Sequence, residues 1–169
     1  MPIAIGSMGW RTPLSWLIAL GCIALAWRRF SALEGLRPPV ASMLIDELTE
    51  DIGAERARSE EGRRFAIAEL NQRIGDVSFA LGLLPSTFTA LIRICLASGS
   101  ALALLGLMDL GAAPLEAALR AGVCAVSGLV GAAVVSAIGR AAKQRAAELR
   151  LEWDRASRET GKQLGASLE

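Results

Sequence analysis

Three tracts almost empty of charge constrain this chain more than any other feature in it. The first, Thr12 to Trp27, is uncharged over sixteen residues and stops at Arg28 and Arg29. The second, Val77 to Met108, holds a single charge, Arg93. The third, Ala121 to Gly139, is uncharged over nineteen residues and stops at Arg140, Lys143 and Arg145. A helix rises about 1.5 Å per residue and a bilayer's hydrocarbon core is about 30 Å thick, so about 20 apolar residues cross it. The third tract meets that length. The first needs help from Met8 to Trp10 or from Phe30, and the second is long enough that one end must leave the lipid. Trp10, Trp16 and Trp27 suit interfacial levels. The first tract reads as an uncleaved span, because its positive charges follow the apolar core and no A-x-A cleavage pattern appears. The expected fold class is all-α: a polytopic membrane protein with three transmembrane helices and cytoplasmic helical extensions.

Composition supports a bilayer and argues against several functions. The chain of 169 residues is 53% hydrophobic, above the roughly 45–50% of soluble domains, and 5% aromatic. Net charge is +1, with charges gathered between Arg28 and Asp76 and again after Gly139. Arginines stand among acidic neighbours, as in "DELTEDIGAERARSEEGRR", which reads as a solvated helix surface and not as a nucleic-acid patch. There is no histidine, and Cys22, Cys95 and Cys124 lie inside apolar tracts without metal-ligand spacing. They read as small buried hydrophobes. No metal and no cofactor is expected. Nor is enzyme chemistry, for want of a nucleophile elbow, paired carboxylates or a phosphate-cradling glycine loop.

Basic residues near span ends set the orientation. Arg28, Arg29 and Arg37 follow the first tract, Arg63, Arg64 and Arg73 precede the second, and a basic group follows the third, whereas "MDLGAAPLEAAL" has none. The N-terminus is therefore expected outside and the C-terminus in the cytoplasm, with Arg11 the one contrary charge. Residues 1–30 form the outer N-terminus and first span, and residues 31–76 a cytoplasmic helical segment. Residues 77–139 hold the second and third spans with a short outer connection, and residues 140–169 a cytoplasmic helix and tail. "ERARSEEGRRFAIAELNQRIGDVSF" carries good helix formers with Phe65, Ile67, Leu70 and Ile74 at helical spacing, so one helix is expected to run from the cytoplasm into the second span. Pro38 and Pro39 break whatever leaves the first.

The faces of the spans carry the candidate sites. Through the second span, Gly82, Ser86, Thr89, Arg93, Ala97 and Ser100 form a small and polar stripe. Leu84, Phe88, Leu91, Ile92, Leu96 and Leu102 between them suit lipid or a greasy neighbour. Arg93 has two readings, one facing a lumen or partner and one snorkelling to an interface. In the third span Ala121, Ala125, Gly128, Ala132 and Ser136 form a small stripe, with Ser127, Gly131 and Gly139 beside it. Small residues let helix backbones approach in lipid. Helix packing is assigned to Gly82, Gly122, Ala125, Gly128, Gly131 and Ala132, and a pore- or partner-facing role to Ser86, Thr89, Arg93, Ser127 and Ser136. Two small faces on three spans favour a homo-oligomer, held together in part through Gly128 and Ala132.

"LGLLPSTFTALIR" is similar to the span-two signature, approximately LGLLGTVxGMI, of the MotA/TolQ/ExbB family of ion-driven inner-membrane motor subunits. "PLEAALRAGVCAVSGLVGAAVVSAIGR" is similar to its span-three signature, approximately GIAEALLxTAxGLxxAIPA. The resemblance covers about 65 residues, and the rest of the chain shares its plan. Pro85–Ser86 stands where the family has Gly-Thr, Ala125 where it has Thr, and Arg120 where it has an acidic residue. The resemblance implies an inner-membrane assembly packed around single-span partners that carry an intramembrane Asp. It also implies that "ICLASGSALALLGLM" belongs to an outer loop, whereas hydropathy keeps that stretch in a span. Two readings stand beside the motor subunit: a non-conducting scaffold or accessory subunit, and a holin-like pore. The spans contain no Asp or Glu, and a guanidinium keeps its charge, so a titratable proton carrier would have to come from the partner.

Overall fold

The computed structural model describes residues 10–40, 42, 43, 46, 47, 50, 59–108 and 114–166. Three long helices account for most of them: α1, Arg11–Ala32, α2, Glu60–Leu107, and α3, Pro114–Ala166. A 3₁₀ turn, Leu33–Leu36, follows α1. No strand occurs among the described residues. Each long helix is long and apolar enough to cross a membrane. Met8, the Asp109–Ala113 part of the connection expected outside and residues 51–58 of the segment expected in the cytoplasm lie outside the described residues.

The expected continuity of the charged segment into the second tract is present, because α2 is unbroken from Glu60 to Leu107. Helix formers and i,i+4 pairs such as Arg64 with Glu60 and Arg73 with Glu69 support its polar half. Pro85 lies inside it, where its ring removes one backbone donor. The helix nevertheless continues through "ICLASGSALALLGL", so the loop implied there by the family resemblance is corrected. Its one turn-like run, Ser98–Gly99–Ser100, stays helical because Gly99, like Gly106, lies in contact with α3. After the 3₁₀ turn, Arg37 is extended, as Pro38 requires of the residue before it.

The chain divides into two compact units, Met1–Ser31 with Leu84–Ala142, and Ala32–Leu83 with Lys143–Glu169. The first is built from α1 and the apolar halves of α2 and α3. Its interior is made largely of small side chains: Thr12, Ser15, Ala19, Cys22 and Ala26 from α1, with Cys95, Cys124, Ser127 and Ala132. Its exterior carries the large ones, among them Trp16, Leu17, Leu20, Leu25, Leu104 and Leu129. This inverts the arrangement of a water-soluble core.

The second unit packs in the ordinary sense. Leu70 and Trp153 form a buried cluster with Ile74 and Val77 against it, and the Trp153 indole N–H donates to the Leu36 carbonyl at 2.7 Å. Leu33 and Leu149 are also fully buried. Of the apolar positions singled out on the polar half of α2, Leu70 and Ile74 join this core while Phe65 and Ile67 stay exposed. Around it, Arg73 donates to Glu47 at 3.0 Å and Arg145 to Glu148 at 2.7 Å. Both guanidiniums are held above their ordinary pKa, chiefly by these hydrogen bonds to carboxylates.

Candidate functional site

The contact between α2 and α3 in the first unit is a direct meeting of backbones. A Cβ placed on Gly99 would lie 2.7 Å from the Gly128 Cα, and one placed on Gly128 would lie 2.7 Å from the Cys95 carbonyl oxygen and 2.8 Å from the Gly99 Cα. No side chain has room at either position. The direction from the Gly128 Cα to that Cβ position is also the direction of one of its hydrogens. A Cα–H therefore points at the Cys95 carbonyl, the weak hydrogen bond that recurs where helices touch. Ser127 donates to the Cys124 carbonyl at 2.8 Å and Ser98 to that of Cys95 at 3.1 Å, so the neighbouring hydroxyls are satisfied within their own helices.

Around this meeting point the fit stays close. A Cβ on Gly131 would come within 3.0 Å of the Ala19 methyl and 3.2 Å of Cys95 Sγ, which brings α1 against both other helices. A Cβ on Gly139 would lie 3.2 Å from the Phe88 Cβ and Cγ, and one on Gly106 would lie 3.4 Å from Ala121. Small residues in lipid-compatible helices serve this kind of approach.

The structure sorts the sequence-derived residues into three groups. Gly128 and Gly131 meet other helices of the same chain and Ala132 is buried, so these positions face inward here, whereas the sequence reading placed Gly128 and Ala132 partly between copies. Ala125 is half-buried beside them. Gly82 and Gly122 are exposed with nothing within 4 Å, so they pack no helix of this chain. Ser127 is fully buried and its hydroxyl is bound, which removes it from any lining, and Ser136 is half-buried.

The third group is the polar stripe of α2. Gly82, Ser86, Thr89, Arg93, Ala97 and Ser100 are all exposed, on the side of the helix turned away from α1 and α3. Leu84, Phe88, Leu91 and Leu102, read as facing lipid or a greasy neighbour, are buried and meet the neighbour, while Leu96 is exposed and Ile92 half-buried. Thr89 donates to the Pro85 carbonyl at 2.8 Å. Arg93 makes no ion pair among the described residues. The stripe is thus a continuous small and polar face, five turns long, that the other described helices leave uncovered.

Sequence reasoning missed Gly99, the partner of Gly128, and the grouping of Arg11, Thr12 and Arg120 around one cavity. Gly99 carried a signal in its position four residues after Cys95 and seven before Gly106, along the face that α3 meets. Arg11 and Arg120 are more than a hundred residues apart, and no local pattern joins them. No metal-ligating cluster of His, Cys, Asp or Glu occurs among the described residues.

Compared with known proteins, the chain matches no protein-family model, no curated protein and no solved structure significantly.

Proposed function

We propose that this chain is a bilayer-spanning subunit of a homo-oligomeric inner-membrane assembly, in which the polar face of α2 is covered by another helix. The observation that carries the reading is Arg93, exposed in the middle of that face on a helix apolar enough to span a membrane. A charged side chain left in hydrocarbon costs at least about 2.5 kcal/mol on insertion scales. A covering helix that supplies a carboxylate removes that cost, and the small residues at Gly82, Ser86 and Ala97 leave room for it. In plan this resembles the MotA/TolQ/ExbB motor subunits packed around single-span partners, with the N-terminus outside and the C-terminus in the cytoplasm. The absence of Asp and Glu from the apolar tracts supports the second reading, a non-conducting scaffold using the same face.

Single cysteines placed at Thr89 or Ala97 in a background without native thiols test the covered face in native membranes. Oxidative cross-linking to a second copy or to a co-expressed single-span protein is the expected result, while a cysteine at Leu25 of α1 gives none. Absence of cross-links at both stripe positions would refute the assembly. Reporter fusions after Arg28 and after Glu169 should both read cytoplasmic. In liposomes under a pH gradient, flux that needs both this chain and a partner's carboxylate supports the motor, and no flux with the partner bound supports the scaffold.

A further inference from the structure

The end of the first unit where α1 begins holds a cavity of about 150 Å³ lined by Arg11, Thr12 and Arg120, with Leu102, Gly106 and Cys124. Its size suits a small group and not a whole ligand of the kind that fills pockets of about 300–1,000 Å³. Arg120 donates to Glu116 at 2.9 Å, and Arg11 donates to the Leu105 carbonyl at 2.7 Å with its guanidinium 5.9 Å from the Trp10 ring centre. A guanidinium has five N–H donors, so Arg120 has a fork left for a second acceptor. Between these cations, Thr12 is 5% exposed and its Oγ1 is buried with no hydrogen-bond partner. Buried hydroxyls in folded proteins nearly always have one. Thr12 also lies in the first turn of α1, where Pro13 has no N–H and the Leu14 N–H is bonded to the Trp10 carbonyl at 3.2 Å, which leaves the N–H groups of Arg11 and Thr12 without helical acceptors at the end whose dipole favours an anion.

Two guanidiniums, an unpartnered hydroxyl donor and a helix N-terminus converge on one small cavity, and every one of them favours an oxyanion. We propose that this cavity binds a phosphate group, and that its source is the headgroup phosphodiester of an anionic phospholipid. Exposed Leu104, Met108, Leu115 and Leu119 on the adjoining ends of α2 and α3 provide the apolar surface along which acyl chains would lie. A choline headgroup would bring a cation toward Arg11 and Arg120, so phosphatidylglycerol is preferred to phosphatidylcholine. The lipid source rests on the bilayer reading above, while the phosphate site itself does not.

The test is native mass spectrometry of the full chain in detergent, titrated separately with phosphatidylglycerol, phosphatidylcholine and inorganic phosphate, alongside thermal unfolding. Wild type should retain phosphatidylglycerol about tenfold better than phosphatidylcholine, the scale of one charge-assisted bond. Arg120→Gln should weaken retention about tenfold, and Thr12→Val should weaken it too. Glu116→Gln should strengthen it by releasing Arg120, a sign that a merely structural role would not produce. Arg140→Gln, an exposed arginine outside the cavity, should leave it unchanged. If Arg120→Gln does not fold, Arg120→Lys and Glu116→Gln carry the comparison. Protection by inorganic phosphate with no preference between the lipids would keep the site and reject the lipid source. Equal retention of both lipids together with no effect of phosphate would overturn the proposal. Recovery of the chain from cells without detergent would instead refute the bilayer reading.

Discussion

Gly128 shows how much a single hydrogen decides in this chain. Gly128→Ala places a methyl group 2.7 Å from the Cys95 carbonyl and 2.8 Å from the Gly99 Cα, both backbone atoms that cannot step aside. Overpacking of this kind costs about 1–3 kcal/mol. Gly122→Ala on the same helix meets nothing within 4 Å and should instead stabilise by about 0.5–1 kcal/mol through helix propensity. Reversible unfolding in a denaturing detergent, followed by helical signal, should separate the two variants in opposite directions. The importance of Gly128 was legible in the sequence, since small residues four apart announce a close approach. Its partner was not, because the pattern says that a backbone comes near and not which one. Trp153 was illegible for a different reason: it stands among charged residues typical of a solvated turn, yet it is buried and bonds Leu36. Trp153→Phe keeps the ring and strands that carbonyl, so a loss of about 1 kcal/mol in the same assay is expected.

Among the elements, α2 gave up its length easily and its orientation poorly. Its polar half is marked by helix formers and paired charges, and its apolar half by hydropathy, so the extent from the inner segment through the second tract could be read directly. The buried side could not. In water an apolar stripe identifies the core, but on a helix with a hydrophobic majority all round that contrast fades. Here Leu84, Phe88 and Leu91 went inward and Leu83, Ile94 and Leu104 stayed out. The polar stripe then supplies a clean test of what lies against it. Gly82→Leu adds bulk where the chain has nothing within 4 Å and replaces a poor helix former, so stability should hold or rise by about 0.5–1 kcal/mol. Detergent-stable association should fall at the same time, as read by size-exclusion chromatography with light scattering. Association unchanged by Gly82→Leu would mean that this face covers nothing.

For the whole molecule, the burial of the three thiols has a practical consequence. Cys22, Cys95 and Cys124 are the chain's only cysteines, all free and buried, and all belong to the unit formed by Met1–Ser31 and Leu84–Ala142. Trp153 is the single tryptophan of the other unit. The native sequence thus carries an independent reporter for each half. With Trp10, Trp16 and Trp27 replaced by Phe, the remaining indole emission follows one unit while labelling by a thiol-reactive probe follows the other. A buried thiol reacts only when its surroundings open, so the labelling rate measures the free energy of that opening. The polar unit, held by the Leu70–Trp153 cluster, by buried Leu33 and Leu149 and by part-exposed ion pairs that individually add about 0–1 kcal/mol, should lose its emission signal first. Emission and labelling that change together at every denaturant concentration would show instead that α2 and α3, the helices shared by both units, melt as single rods.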